Sequence, residues 1–166
     1  QERRRRAGTE NVPGIVGFGE AARLAFGQMK ERMEKASRLR DYLIERIEKE
    51  IPYCRLNGDR INRLPNNVNF SFRFIEGESL LIMLDMKGIC ASSGSACTSG
   101  SLDPSHVLLA IGLPHEIAHG SLRLTLSEEN TMEEMDYVVD AIKEVVDRLR
   151  QMSPLYEDFV KKEQKQ

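Results

Sequence analysis

The sequence of 166 residues predicts an α+β fold. Apolar residues from Ile15 to Ile51 recur at steps of three and four, which is the period of an amphipathic helix. Apolar and polar residues alternate over 68–74 and over 122–126, as they do in half-buried strands. A second helical pattern follows Thr131. Helices and strands are therefore mixed along the chain, and an apolar fraction of 40% is enough for an ordinary core.

The first predicted element is a long helix over residues 15–51, which Pro52 closes. If the helix is unbroken, its roughly 36 residues at about 1.5 Å each form a rod of about 54 Å. A compact chain of this length is only about 40 Å across. Either Gly27 kinks the helix, or the helix projects. A projecting apolar stripe needs a surface to cover it, which indicates a further domain or a second subunit.

A strand and a short helix are predicted next. The segment LPNNVNFSFRF predicts a strand that places Val68, Phe70, Phe72 and Phe74 on one buried face. The segment EGESLLIMLDMKG predicts a short helix with Gly88 just beyond its C-terminus. The residues ICASS then predict a brief strand that leads into a loop rich in serine and glycine.

Three further elements follow that loop. Asp103 as N-cap and Pro104 in the first turn predict a helix over PSHVLLAIG. The segment GSLRLTLS predicts a strand with Arg123 on the face opposite to its leucines. Thr131 and Glu134 have the spacing of a capping box, which predicts the start of a final amphipathic helix.

The charge of the chain restricts its partners. The formal net charge is −2, and basic and acidic residues are mixed along most of the sequence. This pattern argues against nucleic acid or an anionic membrane as the main partner. No apolar run approaches eighteen residues and no signal peptide is evident, so we expect a cytoplasmic protein. The chain opens on glutamine without an initiator methionine, and we expect it to be part of a longer polypeptide.

The three cysteines match neither a disulfide framework nor a paired zinc-ligand motif. Cys54 and Cys90 lie beside Tyr53 and Ile89, and we expect both thiols to pack in the core. Cys97 differs, because its neighbours are serine, glycine, alanine and threonine, which offer little apolar surface. Cys97 is either an idle loop thiol or a reactive thiol whose thiolate the N-terminus of the following helix would favour.

The segment HEIAH at 115–119 satisfies the H-E-x-x-H pattern of zinc metalloproteases. On a helix, this spacing sets two imidazoles around zinc with Glu116 as the general base. Pro114 and Gly120 leave barely more than one helical turn here, and nothing in the sequence fixes a third ligand. We therefore predict no metal site and keep the zinc enzyme as a less favoured alternative.

The segment SSGSACTSGSLDPSHVLLAIG at 92–112 closely resembles the catalytic-cysteine loop and following helix of the cysteine desulfurases. These pyridoxal-phosphate enzymes supply sulfur for iron–sulfur clusters. Four other segments resemble the family in the family's own order, so the resemblance covers about residues 1–150. They are QERRRRAGTENVPGIVGFGEA, LPNNVNFSF, EGESLLIMLD and HGSLRLTLS. The resemblance implies the C-terminal small domain of a fold-type I pyridoxal-phosphate-dependent transferase, with a long connecting helix.

The resemblance implies roles for three residues. Cys97 matches the nucleophile that attacks the sulfur of L-cysteine, which leaves a persulfide on the enzyme and releases L-alanine. Arg123 matches the arginine that pairs with the α-carboxylate of the substrate, and an exposed strand-face charge is its plain alternative. Thr9 matches a threonine that reaches the cofactor phosphate of the neighbouring subunit, which implies a homodimer. An iron–sulfur scaffold or another sulfur-acceptor protein would receive the sulfur.

The sequence departs from the family pattern at the cofactor lysine. No lysine here has the Ser-x-His-Lys context of that residue, so we expect the isolated chain to be inactive. A sulfur carrier or binding module that works without pyridoxal phosphate is the main alternative function, and it would also use Cys97. The predicted segments are the end of the large pyridoxal-phosphate-binding domain (1–14), the long connecting helix (15–51), the small α+β domain (52–152) with the catalytic-cysteine loop (92–103), and a polar tail (153–166) that we expect to fray.

Overall fold

The computed structural model describes residue 5, residues 7–93 and residues 104–164. Within these ranges, helices and strands are mixed, which confirms the predicted α+β class. In chain order the elements are α1 (Val12–Glu50), β1 (Cys54–Leu56), β2 (Asn67–Phe72), α2 (Gly77–Asp85), α3 (His106–Ala110), α4 (His115–Ala118), β3 (Ser121–Thr125), α5 (Met132–Gln151) and α6 (Pro154–Glu163).

Helix α1 is the longest element, with 39 residues, and it passes through Gly27 without interruption. Asn11 caps its N-terminus, because the Asn11 side chain accepts a hydrogen bond of 3.1 Å from the N–H of Gly14. The helix begins three residues earlier than the sequence predicts and ends one residue earlier. At about 1.5 Å per residue it is about 58 Å long.

The two halves of α1 have different surroundings. The C-terminal half packs into the core through Ala36, Leu39, Arg40, Leu43, Ile44 and Ile47. In the N-terminal half, Phe18 is 79% exposed and Phe26 is 76% exposed. This half therefore projects from the rest of the described chain, with its apolar stripe uncovered. Even so, no helix in the described ranges is both long and apolar enough to cross a membrane.

The strands form an antiparallel sheet in the order β1-β2-β3. In the central strand, Phe70 pairs with Leu56 of β1 and with Leu122 of β3. From the predicted strand ICASS, only Ser92 joins the sheet, as an isolated antiparallel bridge to Arg123. The strand β3 thus has a partner on both of its edges.

One face of the sheet and the helices α1, α2 and α5 enclose the main core. The sheet contributes Val68, Phe70 and Phe72, which are fully buried as their alternation predicts. Helix α5 adds a stripe at helical spacing, made of Met135, Val139, Ile142, Val145 and Val146. The short helices α3 and α4 form a separate cluster around Leu108, Leu113 and Ala118. The main core therefore occupies one face of the sheet.

Gly88 ends helix α2. Gly88 has a positive φ of 76°, its N–H bonds to the Asp85 carbonyl at 2.8 Å, and the Ile89 N–H bonds to the Leu84 carbonyl at 3.0 Å. This pair of hydrogen bonds is a Schellman motif, so the predicted cap of α2 is confirmed.

Helix α3 begins later than predicted, at His106 rather than in the turn of Pro104, with Ser105 as N-cap.

The capping box predicted for α5 is confirmed. The Thr131 hydroxyl accepts a hydrogen bond of 3.2 Å from the Glu134 N–H, and the Glu134 carboxylate accepts one of 3.1 Å from the Thr131 N–H. The Glu134 carboxylate also accepts a hydrogen bond from the Asn130 side chain. That bond and the one from Thr131 lower the pKa of Glu134 below its ordinary value.

The chain after Ser153 forms helix α6, so the expectation of a frayed polar tail is wrong. Pro154 occupies the first turn, where a missing N–H costs nothing. Tyr156 and Phe159 pack against the ring of Tyr53, with centroid distances of 6.4 and 5.1 Å. The composition of the segment is polar, but Tyr156 and Phe159 are partly buried, and their packing against Tyr53 stabilises the helix.

Candidate active site

The sheet face opposite the main core carries polar side chains in register. Asn69 of β2 lies opposite Arg123 of β3, and the Asn57 N–H bonds to the Asn69 carbonyl at 2.8 Å. Beyond Arg123, Ser92 continues the line through two backbone hydrogen bonds of 3.0 and 2.6 Å. Residues that lie opposite each other in an antiparallel sheet share a face. Asn57, Asn69, Arg123 and Ser92 therefore form one polar row across the sheet.

Arg123 stands near the middle of this polar row. Its side chain is exposed, whereas Leu122 and Leu124 on either side point into the core. Among the described residues, no carboxylate forms an ion pair with Arg123. A guanidinium with its N–H donors available is suited to bidentate binding of a carboxylate.

Asn57 joins the row to a buried hydrogen-bond network that sequence reasoning missed. Its side chain is only 4% exposed. The Asn57 amide nitrogen donates to the Asn69 side-chain oxygen at 2.7 Å and to the Ser71 hydroxyl at 2.9 Å. The polar positions of NVNFSF give part of this network through their alternation, but nothing in the sequence indicates that Asn57 folds back onto them.

Two glycines allow close packing beside the polar row. The Gly77 N–H bonds to the His119 carbonyl at 2.9 Å, and a Cβ atom on Gly77 would lie 2.9 Å from the carbonyl oxygens of His119 and Ser121. A Cβ atom on Gly120 would lie against the carbonyl oxygen of Phe72. A side chain at Gly77 would collide with the backbone of His119 and Ser121, and one at Gly120 would collide with the backbone of Phe72 in β2. Gly77 therefore lets the start of α2 lie against the segment that carries Arg123, and Gly120 lets that segment lie against β2.

The other two predicted site residues, Cys97 and Thr9, have no described contact that relates them to Arg123. Cys97 lies outside the described residues. Thr9 is exposed just before α1, and within the described chain no hydrogen bond joins it to Arg123.

The cysteines inside the described ranges differ from each other. Cys54 is half-buried, and its thiol lies 3.8 Å from the Ile47 carbonyl oxygen. Cys54 packs against the main core, largely as expected, and this burial raises the pKa of its thiol. Cys90 is exposed, so the expectation that it packs in the core is wrong. Its predicted strand forms only one bridge, and the chain is therefore not drawn into the sheet at Cys90.

The HEIAH segment forms the four-residue helix α4. The rings of His115 and His119 stack edge-on, with centroids 5.1 Å apart. Within the described residues, no third histidine, cysteine or carboxylate joins them in a group that could hold a metal ion. The helix ends directly before β3, so the long supporting helix of a zinc metalloprotease is not formed at this segment.

Comparison with known proteins decides the family. The sequence profile of the aminotransferase class-V family matches residues 1–138. The chain belongs to this family. It is 60% identical to the cysteine desulfurase IscS of Clostridium botulinum over 168 residues, which cover 99% of this chain and 42% of that protein. The cysteine desulfurase IscS of Methanosarcina thermophila is 59% identical over 93% of this chain and 38% of its own length.

Solved structures of related proteins share the fold. A NifS-like protein from Rickettsia africae matches 89% of this chain and 38% of its own length, with a TM-score of 0.76 and 33% identity. DndA from Streptomyces lividans matches 76% of this chain with a TM-score of 0.54 and 37% identity. The chain spans about two fifths of the length of the curated relatives it matches.

The class-V family implies pyridoxal phosphate in the full-length enzyme, and two described residues fit contacts that such an enzyme needs. The Thr9 hydroxyl makes no hydrogen bond to another described residue, so it can donate to a phosphate oxygen. The Arg123 guanidinium can bind the carboxylate of an amino-acid substrate. Among the described residues, the chemistry of Thr9 therefore fits a phosphate oxygen and that of Arg123 fits a carboxylate.

Proposed function

We propose that this chain is the C-terminal part of a cysteine desulfurase. The enzyme converts L-cysteine to L-alanine and places the sulfur on Cys97 as a persulfide. The observation that carries this proposal is the exposed guanidinium of Arg123 in the polar row, within a chain 60% identical to a cysteine desulfurase. The sulfur would pass to a scaffold or another acceptor protein of iron–sulfur cluster assembly.

Arg123 would hold the α-carboxylate of L-cysteine through its N–H fork. Its position is fixed by the strand, because Ser92 and Asn69 flank it on the two neighbouring backbones. Leu122 and Leu124 anchor the same strand in the core. Such a fixed cation orients the substrate and lowers the entropy that must be lost in the reaction.

Cys97 would act as the nucleophile. Its thiolate attacks the substrate sulfur, so a new S–S bond forms while the bond between that sulfur and the substrate Cβ breaks. When bound, pyridoxal phosphate supplies the electron sink for chemistry at the substrate carbons. The electron pair of the broken bond stays on the carbon side, and protonation of Cβ completes L-alanine. A loop of small residues gives the persulfide the reach to meet an acceptor.

The complete enzyme would be a homodimer. The exposed apolar stripe on the N-terminal half of α1 supports this part of the proposal, because such stripes are normally covered in the working assembly. Thr9, close to that half of the helix, would reach the cofactor phosphate of the neighbouring subunit. The lysine that holds pyridoxal phosphate would lie in the large domain, so we propose that the 166 residues alone do not desulfurate cysteine. A cytoplasmic location stays a prediction.

Replacement of Cys97 by serine in the full-length enzyme tests the proposed role. Cys97→Ser is expected to abolish transfer of ³⁵S from labelled L-cysteine to the protein, while the absorbance of bound pyridoxal phosphate is unchanged. Cys90→Ser is the matched control, because Cys90 is an exposed thiol seven positions upstream. Retention of protein-bound sulfane sulfur in Cys97→Ser would refute the nucleophile. Labelling of Cys97 without cofactor, from a sulfane donor, would instead indicate the carrier function.

A further inference from the structure

We infer that Asn69 is a second substrate-binding residue beside Arg123, and that Asn57 positions it. The inference rests on the proposed function, because its ligand is the α-carboxylate of the amino-acid substrate. Asn69 and Arg123 are directly paired across β2 and β3, so their side chains leave the same face of the sheet. Side chains in such a pair have Cβ atoms only about 5 Å apart.

The hydrogen bonds of Asn69 orient its amide. The Asn69 side-chain oxygen accepts the 2.7 Å hydrogen bond from the Asn57 amide nitrogen. The Asn69 amide nitrogen is left without a partner among the described residues, although the residue is half-buried. An amide whose oxygen is engaged on one side presents its N–H donors on the other. Asn69 therefore offers donors on the face where Arg123 offers its own.

The orientation of Asn57 is maintained at a cost in stability. The Asn57 side-chain oxygen is buried and has no hydrogen-bond partner among the described residues. A buried acceptor without a partner destabilises the folded state, so such a group is typically kept for a structural or functional role. The Asn57 amide nitrogen donates two hydrogen bonds, one to the Asn69 side-chain oxygen and one to the Ser71 hydroxyl. That double contact fixes Asn69 with its donors outward.

A carboxylate fits the resulting donor set. The two oxygens of a carboxylate accept hydrogen bonds from more than one direction. Arg123 supplies charged N–H groups from β3, and Asn69 supplies neutral ones from the adjacent strand β2. No described carboxylate is paired with Arg123, so the two residues are open to an external anion. Arg55 lies on the same face of the sheet. It pairs with Ser71, and this pair lies two residues along the strands from Asn57 and Asn69, so Arg55 does not belong to the polar row.

The test compares substrate kinetics of four variants in the full-length holoenzyme. Asn69→Ala should raise the KM for L-cysteine about tenfold and leave kcat within about twofold, as expected for loss of one hydrogen bond to a charged group. Asn57→Asp should also raise KM. Its carboxylate accepts hydrogen bonds only, so Asn69 must turn its amide nitrogen inward and direct its oxygen at the substrate carboxylate. Arg55→Gln is the matched control and should leave KM unchanged.

Arg123→Ala separates the two proposals. If Arg123→Ala raises KM while Asn69→Ala does not, the role of Asn69 is overturned and the proposed function stands. If Arg123→Ala leaves KM unchanged, the proposed carboxylate site itself fails. A drop in melting temperature of Asn69→Ala without a change in KM would assign Asn69 a purely structural role, which also overturns the inference. Asn57→Asp is nearly isosteric, so it tests the orientation with little change in packing.

Discussion

Among the charged residues that the structure describes, Arg150 is the most deeply buried. It lies in the last turn of α5 and is only 2% exposed. Its guanidinium donates to the backbone carbonyls of Tyr53 and Arg73, each at 3.2 Å, and packs over the rings of Tyr53 and Tyr156. Burial lowers the pKa of Arg150, which still leaves an arginine charged.

The carbonyls that Arg150 binds belong to unusual backbone. Tyr53 has a φ of 54°, and Phe74, which follows Arg73, has a φ of 71°. Residues other than glycine rarely adopt this left-handed conformation, which costs about 1 kcal/mol each. Phe74 was predicted as the last residue of its strand, and this conformation instead ends β2 at Phe72. Arg150 therefore stabilises strained backbone at the end of the sheet where β1 begins and β2 ends.

Loss of the Arg150 guanidinium should weaken the fold. Arg150→Met is expected to lower the free energy of unfolding by about 2 kcal/mol, because two backbone carbonyls lose a charged donor and the aromatic rings lose the guanidinium packed over them. Arg148→Ala, at an exposed position of the same helical turn, should change it by less than about 0.5 kcal/mol. Urea denaturation followed by circular dichroism measures both variants. Equal stability of the two variants would contradict the role given to Arg150.

At the scale of single residues, the sequence predicts the exposed candidate site residue Arg123, but it does not predict which polar side chains are buried. Arg123 is recognisable because it interrupts the leucines of a strand, and the structure places it on the polar face. Arg150 and Asn57 are not recognisable, because an arginine near a helix C-terminus and an asparagine before a glycine are typical of solvated positions. Their burial depends on contacts with residues far away in sequence.

Helix α6 is the longer of the two elements that sequence reasoning missed, the other being the three-residue strand β1. The residues of α6 have a polar composition, and only their three-dimensional partners reveal the apolar face. Phe159 lies 4.8 Å from the ring of Phe74 and 5.1 Å from that of Tyr53, and Arg73 stacks on the same cluster. By contrast, α1, α2 and α5 were predictable, because their apolar stripes and end signals lie within each segment.

Phe159 should anchor α6. Phe159→Ala is expected to cost about 1–2 kcal/mol, since it removes two aromatic contacts, and to speed amide hydrogen exchange over 154–163. Leu155→Ala is the control on the same helix, because the Leu155 side chain is mostly exposed. Exchange measured by mass spectrometry distinguishes local release of the helix from global unfolding. Unchanged exchange in Phe159→Ala would show that the aromatic cluster does not hold α6.

At the scale of the whole molecule, the main feature is helix α1, of which only one half is packed against the core. The sequence predicts a rod too long for a compact chain, and the structure shows that only its C-terminal half enters the core. What covers the other half could not be predicted in detail, since a stripe of apolar residues specifies a need for burial without specifying the partner.

The uncovered stripe should make the isolated chain associate. The 166-residue chain is expected to sediment as more than a monomer at tens of micromolar and to bind a hydrophobic dye. The double variant Phe18→Ser and Phe26→Ser should reduce both signals, because it removes the two most exposed rings of α1. A double change of Lys30 and Glu34 to serine, at exposed polar positions of the same helix, is the control. A monomeric chain that binds no dye would contradict the expectation.

The bridge between Ser92 and Arg123 ties the base of the cysteine loop to the strand that would hold the substrate. In the proposed enzyme, insertions or deletions after Ser92 would therefore alter how far the sulfur travels without altering how the amino acid docks. In that enzyme, the length of the loop could therefore change to suit different acceptor proteins, while the strand that binds the amino acid stays the same.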